Sequence, residues 1–185
     1  TNDAIGSDGV TALTGNGNYV VASPVWKNLS PLATTAGAAT WGSGTGGTAG
    51  VVSSINSLVG TSNNDQVGTE VVALANGNYV VGSVSWRTGA FNNAGAATWG
   101  DGTTGISGAV SSMNSLVGTL LNDGVGVSIA ALSNGHYVVI SDNWNNGLTV
   151  DVGAVTWGNG TGGTTGAVGG SNSLIGSTMS DRIGS

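Results

Sequence analysis

Cysteine is absent from all 185 residues, which excludes disulfide staples, thiolate nucleophiles and thiolate-bound metals together. Charge is scarce as well: 6% of residues are charged, and Lys27, Arg87 and Arg182 are the only basic side chains. With a net charge of −6 the chain has nothing to neutralise a row of phosphates, so nucleic acid is not an expected partner. No apolar run approaches the ~20 residues of a membrane helix, and no membrane span is expected. No basic-then-apolar leader stands at the front, and the chain opens at Thr1 rather than methionine, which reads as a processed product or a piece of a longer protein.

What is present is repetition. Asn16-Gly17-Asn18-Tyr19-Val20-Val21 returns as Asn76-Gly77-Asn78-Tyr79-Val80-Val81 and as Asn134-Gly135-His136-Tyr137-Val138-Val139. The tyrosines lie 60 and then 58 residues apart, and Trp41, Trp99 and Trp157 keep the spacing of 58. A fixed period of this size is the mark of a repeat architecture. The units are residues 1–62, 63–120 and 121–178, with 179–185 opening a fourth. Each is too small to hold a secure core alone, so neighbouring units are expected to share one.

Composition and pattern within a unit point to strands. Residues are 39% hydrophobic and include 35 glycines beside two prolines, which suits close-packed strands joined by tight turns. A strand over residues 10–14 meets Asn-Gly, a dipeptide that tolerates positive φ and signals a hairpin, and returns over 18–26. Tyr19 and Val21 point to one face of that return strand and Val20 and Ala22 to the other, so both faces are apolar and both are expected to be covered. Gly37 to Trp41 and its copies form a third strand, and a last strand closes on Asn56, Asn114 and Asn172. The result is an all-β chain of three tandem repeats, each of about four antiparallel strands.

The pattern resembles the FG-GAP repeat, the integrin-type β-propeller blade of bacterial surface proteins. Ile5-Gly6, Val67-Gly68, Val125-Gly126 and Ile183-Gly184 stand where that family has Phe-Gly. Ala22-Ser23-Pro24 stands for Gly-Ala-Pro, and Gly37-Ala38 leading to Trp41 matches the third element. The resemblance implies a propeller-like blade per repeat and a place on the cell surface. Closed propellers contain about 4 to 8 blades, so three imply a pairing of two chains, a fragment of a longer array, a three-sided β-prism or an open stack. The family's Asp-x-Asp-x-Asp-Gly calcium loop is missing.

Two sets of side chains are candidates for binding. Asp3, Asp65, Asp123 and Asp181 recur once per unit beside Asn2, Asn64, Asn122 and Ser180; they are either weak calcium ligands or caps of backbone turns. No other cofactor is implied. Trp41, Trp99 and Trp157 sit in apolar strand context and are expected inside. Trp26, Trp86 and Trp144 sit beside the variable connections 27–36, 87–94 and 145–152, and are the candidates for contact with a glycan or protein. His136, the sole histidine, occupies the place of Asn18 and Asn78 and is expected to be a turn residue rather than a catalytic base.

The function expected from this pattern is that of a non-enzymatic, extracellular or cell-surface module, structural or adhesive, that self-associates into a ring or filament through exposed strand edges. Its partners are further copies of itself and, through the loops, glycans or host and cell-surface proteins. The alternative is a multivalent lectin with one tryptophan-lined site per repeat.

Overall fold

The computed structural model describes residues 3–185, and among these every regular element is a β-strand. In the first unit β1 (Val10–Ala12) turns back into β2 (Tyr19–Ser23), β3 (Asn28–Leu29) and β4 (Leu32–Ala33) form a small hairpin in the longer connection, and β5 (Ala38–Gly42) and β6 (Leu58–Val59) follow. The second unit contains β7 (Glu70–Ala73), β8 (Tyr79–Ser83), β9 (Ala96–Gly100), β10 (Gly108–Ala109) and β11 (Ser115–Val117). The third contains β12 (Ser128–Ala131), β13 (Tyr137–Ser141), β14 (Ala154–Gly158), β15 (Gly166–Ala167) and β16 (Ser173–Ile175).

The Asn-Gly pair makes its hairpin by a different route from a two-residue turn. Gly17, Gly77 and Gly135 take φ of 73°, 88° and 85°, while the asparagines before them do not cross into positive φ. Instead the Asn16 side-chain oxygen accepts the N–H of Asn18 at 3.0 Å, and the Leu13 N–H donates to the Asn18 carbonyl at 2.8 Å, closing a four-residue loop. Asn76 and Asn134 repeat the side-chain bond.

Each unit forms one antiparallel sheet of four strands, as the pattern predicts, but the first two sheets hold a fifth strand that the pattern does not show. β10, from the second unit, pairs in parallel with β6 of the first, and β15, from the third, pairs in parallel with β11 of the second. The third sheet, β12-β13-β14-β16, ends on β16 with nothing added. Two-residue strands inside glycine-rich turns carry no alternation to read, and their partner lies in another unit. Among the described residues no sheet closes into a barrel.

Both faces of the central strands are buried because sheets stack face to face. Leu13, Val20, Ala39 and Leu58 of the first sheet form one core with Tyr79, Val81, Ala96 and Val117 of the second. Leu74, Val80, Ala97 and Leu116 on the opposite face of the second sheet form another with Tyr137, Val139 and Ala154 of the third. The tyrosine needs a glycine across the ladder: Tyr79 pairs with Gly100, and a Cβ there would lie 2.2 Å from the phenol ring. The arrangement is an open stack with an incoming face on the first unit and an outgoing face on the third.

Equivalent positions show what the stacking is worth. Leu58 and Leu116 are 0% and 1% exposed, whereas Leu174, their counterpart on the outgoing face, is 69% exposed. In dilute solution Leu58→Ala and Leu116→Ala are each expected to lower unfolding free energy by about 2–5 kcal/mol, and Leu174→Ala by less than about 0.5 kcal/mol. Urea melts decide this, and equal losses at all three would mean that the outgoing face is covered.

The first of these cores also carries a pH signature. Burial pushes the Tyr79 phenol up to about 12, opposed by the Ile106 N–H that donates to its oxygen at 3.1 Å. A folded value above the unfolded 10.0 means that the native state holds the proton longer, so this stability is present below about pH 10 and is lost as pH rises to about 12. The loss over that window is about 2–3 kcal/mol, and burial pushes the Tyr137 phenol in the same direction. Tyr79→Phe should start lower at neutral pH, because the Ile106 N–H loses its acceptor, and then decline less steeply between pH 10 and 11.5 in urea melts. An unchanged slope would show that another group is responsible.

Candidate functional site: the joint between units

The tryptophans reverse their expected places. Trp26, Trp86 and Trp144, taken from the sequence as contact residues, are buried in the cores. Each follows a central strand by a tight turn in which its N–H donates to Ser23, Ser83 or Ser141, and its carbonyl accepts the N–H of Gly37, Gly95 or Gly153. The turn folds the ring back onto the incoming face of its own sheet, so Trp86 joins the first core and Trp144 the second. Strand ends beside variable loops suggested exposure; the turn, invisible as a spacing, decides otherwise.

Trp41 and Trp99, expected inside, lie half-buried at the joint with a defined polar task. The Trp41 Nε1–H donates to the Gly102 carbonyl of the next unit at 3.0 Å, and the Trp99 Nε1–H to the Gly160 carbonyl at 3.0 Å. The same Gly102 oxygen accepts from the side-chain amides of Asn16 at 3.0 Å and Asn18 at 2.8 Å. Asn76 and Asn78 reach the Gly160 oxygen, each at 2.8 Å. Gly102 has to be glycine, since a Cβ would fall 1.7 Å from the Gly77 carbonyl. Each joint is thus latched where three donors of one unit converge on one backbone oxygen of the next.

In the third unit this donor set is Asn134, His136 and Trp157, and no carbonyl among the described residues receives it. His136 keeps the inward half of the asparagine's role, since its Nδ1 accepts the Gly160 N–H at 3.0 Å, as Asn18 and Asn78 accept from Gly44 and Gly102. Its ring lies 4.8 Å from that of Trp157, which is 52% exposed. At the other end of the stack no donor among the described residues reaches the Gly44 carbonyl, the counterpart of Gly102.

The repeated aspartates also lie at joints, and their contacts are those of turn caps. Asp65 accepts the N–H groups of Thr61 at 2.9 Å and Ser62 at 2.8 Å with one oxygen, and that of Arg87 in the next unit at 3.2 Å with the other. Asp123 does the same with Thr119, Leu120 and, across the joint, both the N–H and the side-chain amide of Asn145. Asp181 caps Ser177 and Thr178. Burial pushes the Asp65 carboxyl up against the pull of these donors, whereas the Thr178 hydroxyl and N–H hold that of Asp181 down. Asp3 is exposed near the front of the first unit, and Asn2 beside it lies outside the described residues. Among the described residues no three acidic or histidine side chains gather in one place.

What the sequence reading missed is the donor segment, β10 and β15, and its counterpart at residues 50–52. The signal was available: Gly50, Gly108 and Gly166 keep the same spacing of 58, each followed by two small or branched apolar residues.

With that geometry in place, the relationship of the chain to known repeats is clear. The family model described as a repeat of unknown function, DUF5650, matches residues 13–69, 73–127 and 131–185. This overturns the resemblance to the FG-GAP blade, whose motifs fitted only loosely: Ile-Gly or Val-Gly replaces Phe-Gly throughout, and the proline falls in the first unit alone. The matched copies also divide the chain in another phase from residues 1–62, 63–120 and 121–178, ending on the Asp-x-Val/Ile-Gly signature rather than opening with it. The backbone pairs the signature in that same phase, since the N–H groups of Asn64, Gln66 and Val67 donate to Thr34, Thr35 and Ala36 of the same matched copy. No curated protein matches the chain closely enough to lend it a function. The chain belongs to the DUF5650 repeat family and consists of three successive copies of that repeat.

Proposed function

We propose that this chain is a non-enzymatic structural module of the cell exterior, a stiff stack that displays its connecting loops and associates with further copies of itself. The observation that carries the reading is the contrast between covered and bare positions: leucines and valines facing a neighbouring sheet, such as Leu58, Leu116, Val67 and Val125, are buried, whereas their counterparts at the two ends of the stack, Leu174 and Ile5, are exposed. A two-sided sheet that ends a stack exposes apolar area for which another sheet of the same kind is the natural cover.

Several features support display rather than catalysis. The sole histidine has its Nδ1 engaged by a backbone N–H, and Asp65, Asp123 and Asp181 are occupied with turn caps, so none of these is arranged as a general acid or base beside a nucleophile. No metal or organic cofactor is needed by this role. The low charge, the absence of cysteine and the many Gly, Ser, Thr and Asn residues suit a secreted or surface location. Residues 87–94 and 145–152 lie at the rim of the stack, with Phe91 and Leu148 exposed, and are the places for contact with host or cell-surface proteins. The lectin alternative drew on one exposed ring per repeat at Trp26, Trp86 and Trp144, and their burial removes that support.

Light scattering over a hundredfold range of concentration tests the reading. The mass is expected to climb above the 17.9 kDa of one chain as concentration rises, with elongated particles in negative-stain images. A single-chain mass throughout would overturn self-association.

A further inference from the structure

We infer that two copies of this chain join head to tail through a copy of their own internal joint: residues 50–52 of one add in parallel to β16 of the other, and the Gly44 carbonyl of the first receives the Asn134, His136 and Trp157 donors of the second. This rests on the self-association proposed above and specifies its surface, partner and polarity.

The internal joints supply the template twice. β10 pairs with β6 so that Gly108 faces Leu58 and Ala109 faces Val59, with the Val110 N–H donating to the Val59 carbonyl at 3.1 Å. β15 repeats the register on β11, with Gly166 facing Leu116, Ala167 facing Val117, and the Val168 N–H donating to Val117 at 3.0 Å. Shifted by one unit, the same register sets Gly50 opposite Leu174 and Val51 opposite Ile175, and directs the Val52 N–H to the Ile175 carbonyl of the second copy. Both halves of this pair are bare in the single chain. Val51 is 87% exposed and enters no sheet, and β16 is an edge with no strand beyond it.

The faces behind these edges match as well. On the first unit a groove of about 130 Å³ is lined by residues including Tyr19, Val21, Gly50 and Val52. In the second unit the counterparts Tyr79 and Val81 are covered by Leu13, Val20 and Leu58 of the preceding sheet. The third unit carries Leu132, Val138 and Leu174 at those covering positions, half-buried or exposed. The latch completes the fit. Asn134 and Trp157 keep the donors of their counterparts, and the Nε2 of His136, whose Nδ1 is already an acceptor, replaces the outward amide of Asn18.

One segment stands in the way and gives way on joining. Residues 3–6 copy the Asp-x-Val/Ile-Gly signature on the incoming face, and the Gly6 N–H donates to Ser23 as the Gly68 N–H does to Ser83. They fill that place incompletely, for Ile5 is 55% exposed where Val67 and Val125 are fully buried. The signature of the arriving copy, held to its own unit by the Arg182 and Ile183 N–H bonds to Asp151 and Val152, takes over the position. Because the two surfaces are different, the contact is head-to-tail and leaves one of each free, and repetition of it along the axis of the stack gives a polar filament.

The absence of native cysteine makes the register directly testable. Val51→Cys and Ile175→Cys are made singly and together in the full chain, and oxidised at a concentration where wild-type mass has risen. Mixed single variants should form a covalent pair containing one of each, the double variant should form a ladder, and neither single variant alone should cross-link efficiently. Leu174→Lys, at an exposed position, should remain folded by its urea melt yet weaken association by about tenfold or more, equivalent to about 1.4 kcal/mol. Wild type that remains a single chain at every concentration overturns both this joint and the self-association beneath it. Wild type that associates while the mixed pair fails to form, while single variants cross-link to themselves, or while Leu174→Lys associates undiminished overturns the joint alone.

Discussion

A β-sheet with apolar residues on both faces has no stable way to stand alone in water: whichever side is turned inward, the other remains wet. That constraint organises this chain. Its central strands read Tyr-Val-Val with almost no alternation, and residues such as Val80 and Val81, pointing in opposite directions, are both fully buried in the middle unit. The sheets therefore lie face to face, each supplying half of two cores, and the unit of stability is the joint rather than the repeat. The fifth, parallel strand follows the same logic at the sheet edge. A unit lends two residues to its predecessor, which covers an edge that would otherwise be open and makes the joint continuous in hydrogen bonds as well as in packing.

Apolar faces alone would hold the sheets together without deciding how they are aligned, since dispersion and burial are indifferent to small sliding motions. The polar residues supply that alignment. Three donors meeting at the Gly102 oxygen, or at the Gly160 oxygen, are satisfied together in one relative position of the two units. Asp65 and Asp123 add a second fixed point, each tying the turn that ends one unit to the loop of the next. With so few charged residues in the chain, neutral amides, indole N–H groups and backbone carbonyls do the work that ion pairs do elsewhere. The one ion pair among the described residues, Arg182 with Asp151 at 3.4 Å, lies on the surface of the third unit and has little bearing on the joints.

Much of this was legible in the sequence because it is periodic. The return of Asn-Gly-Asn-Tyr-Val-Val set the repeat, the two-faced strand predicted coverage on both sides, and the four antiparallel strands lie close to their expected places. The misreadings concern contacts between units, which a period within one unit does not encode. Trp26 looked like a loop residue until the turn after β2 placed its ring on the incoming face. Trp41 looked like core until the indole N–H found an acceptor in the following unit. The family resemblance failed for a related reason: a glycine beside an apolar residue, and a Gly-Ala strand ending in an aromatic, are what any tightly stacked β-repeat requires, so sharing them says little about descent.

The same dependence on neighbours grades stability along the chain. The middle unit is covered on both faces and keeps both edges of its joint occupied, while the first is only partly covered at Tyr19 and Val21 and the third leaves Val138 half-buried and Trp157 and Leu174 exposed. Where stability is a sum of nearest-neighbour terms, units with one neighbour open before units with two, and opening proceeds inward from the ends. An added neighbour at either end converts a terminal unit into an interior one, so each addition stabilises the part of the stack already in place. Growth and folding are in this sense the same process, driven by the same buried faces and aligned by the same latched carbonyls, whether the next sheet comes from the same chain or from another.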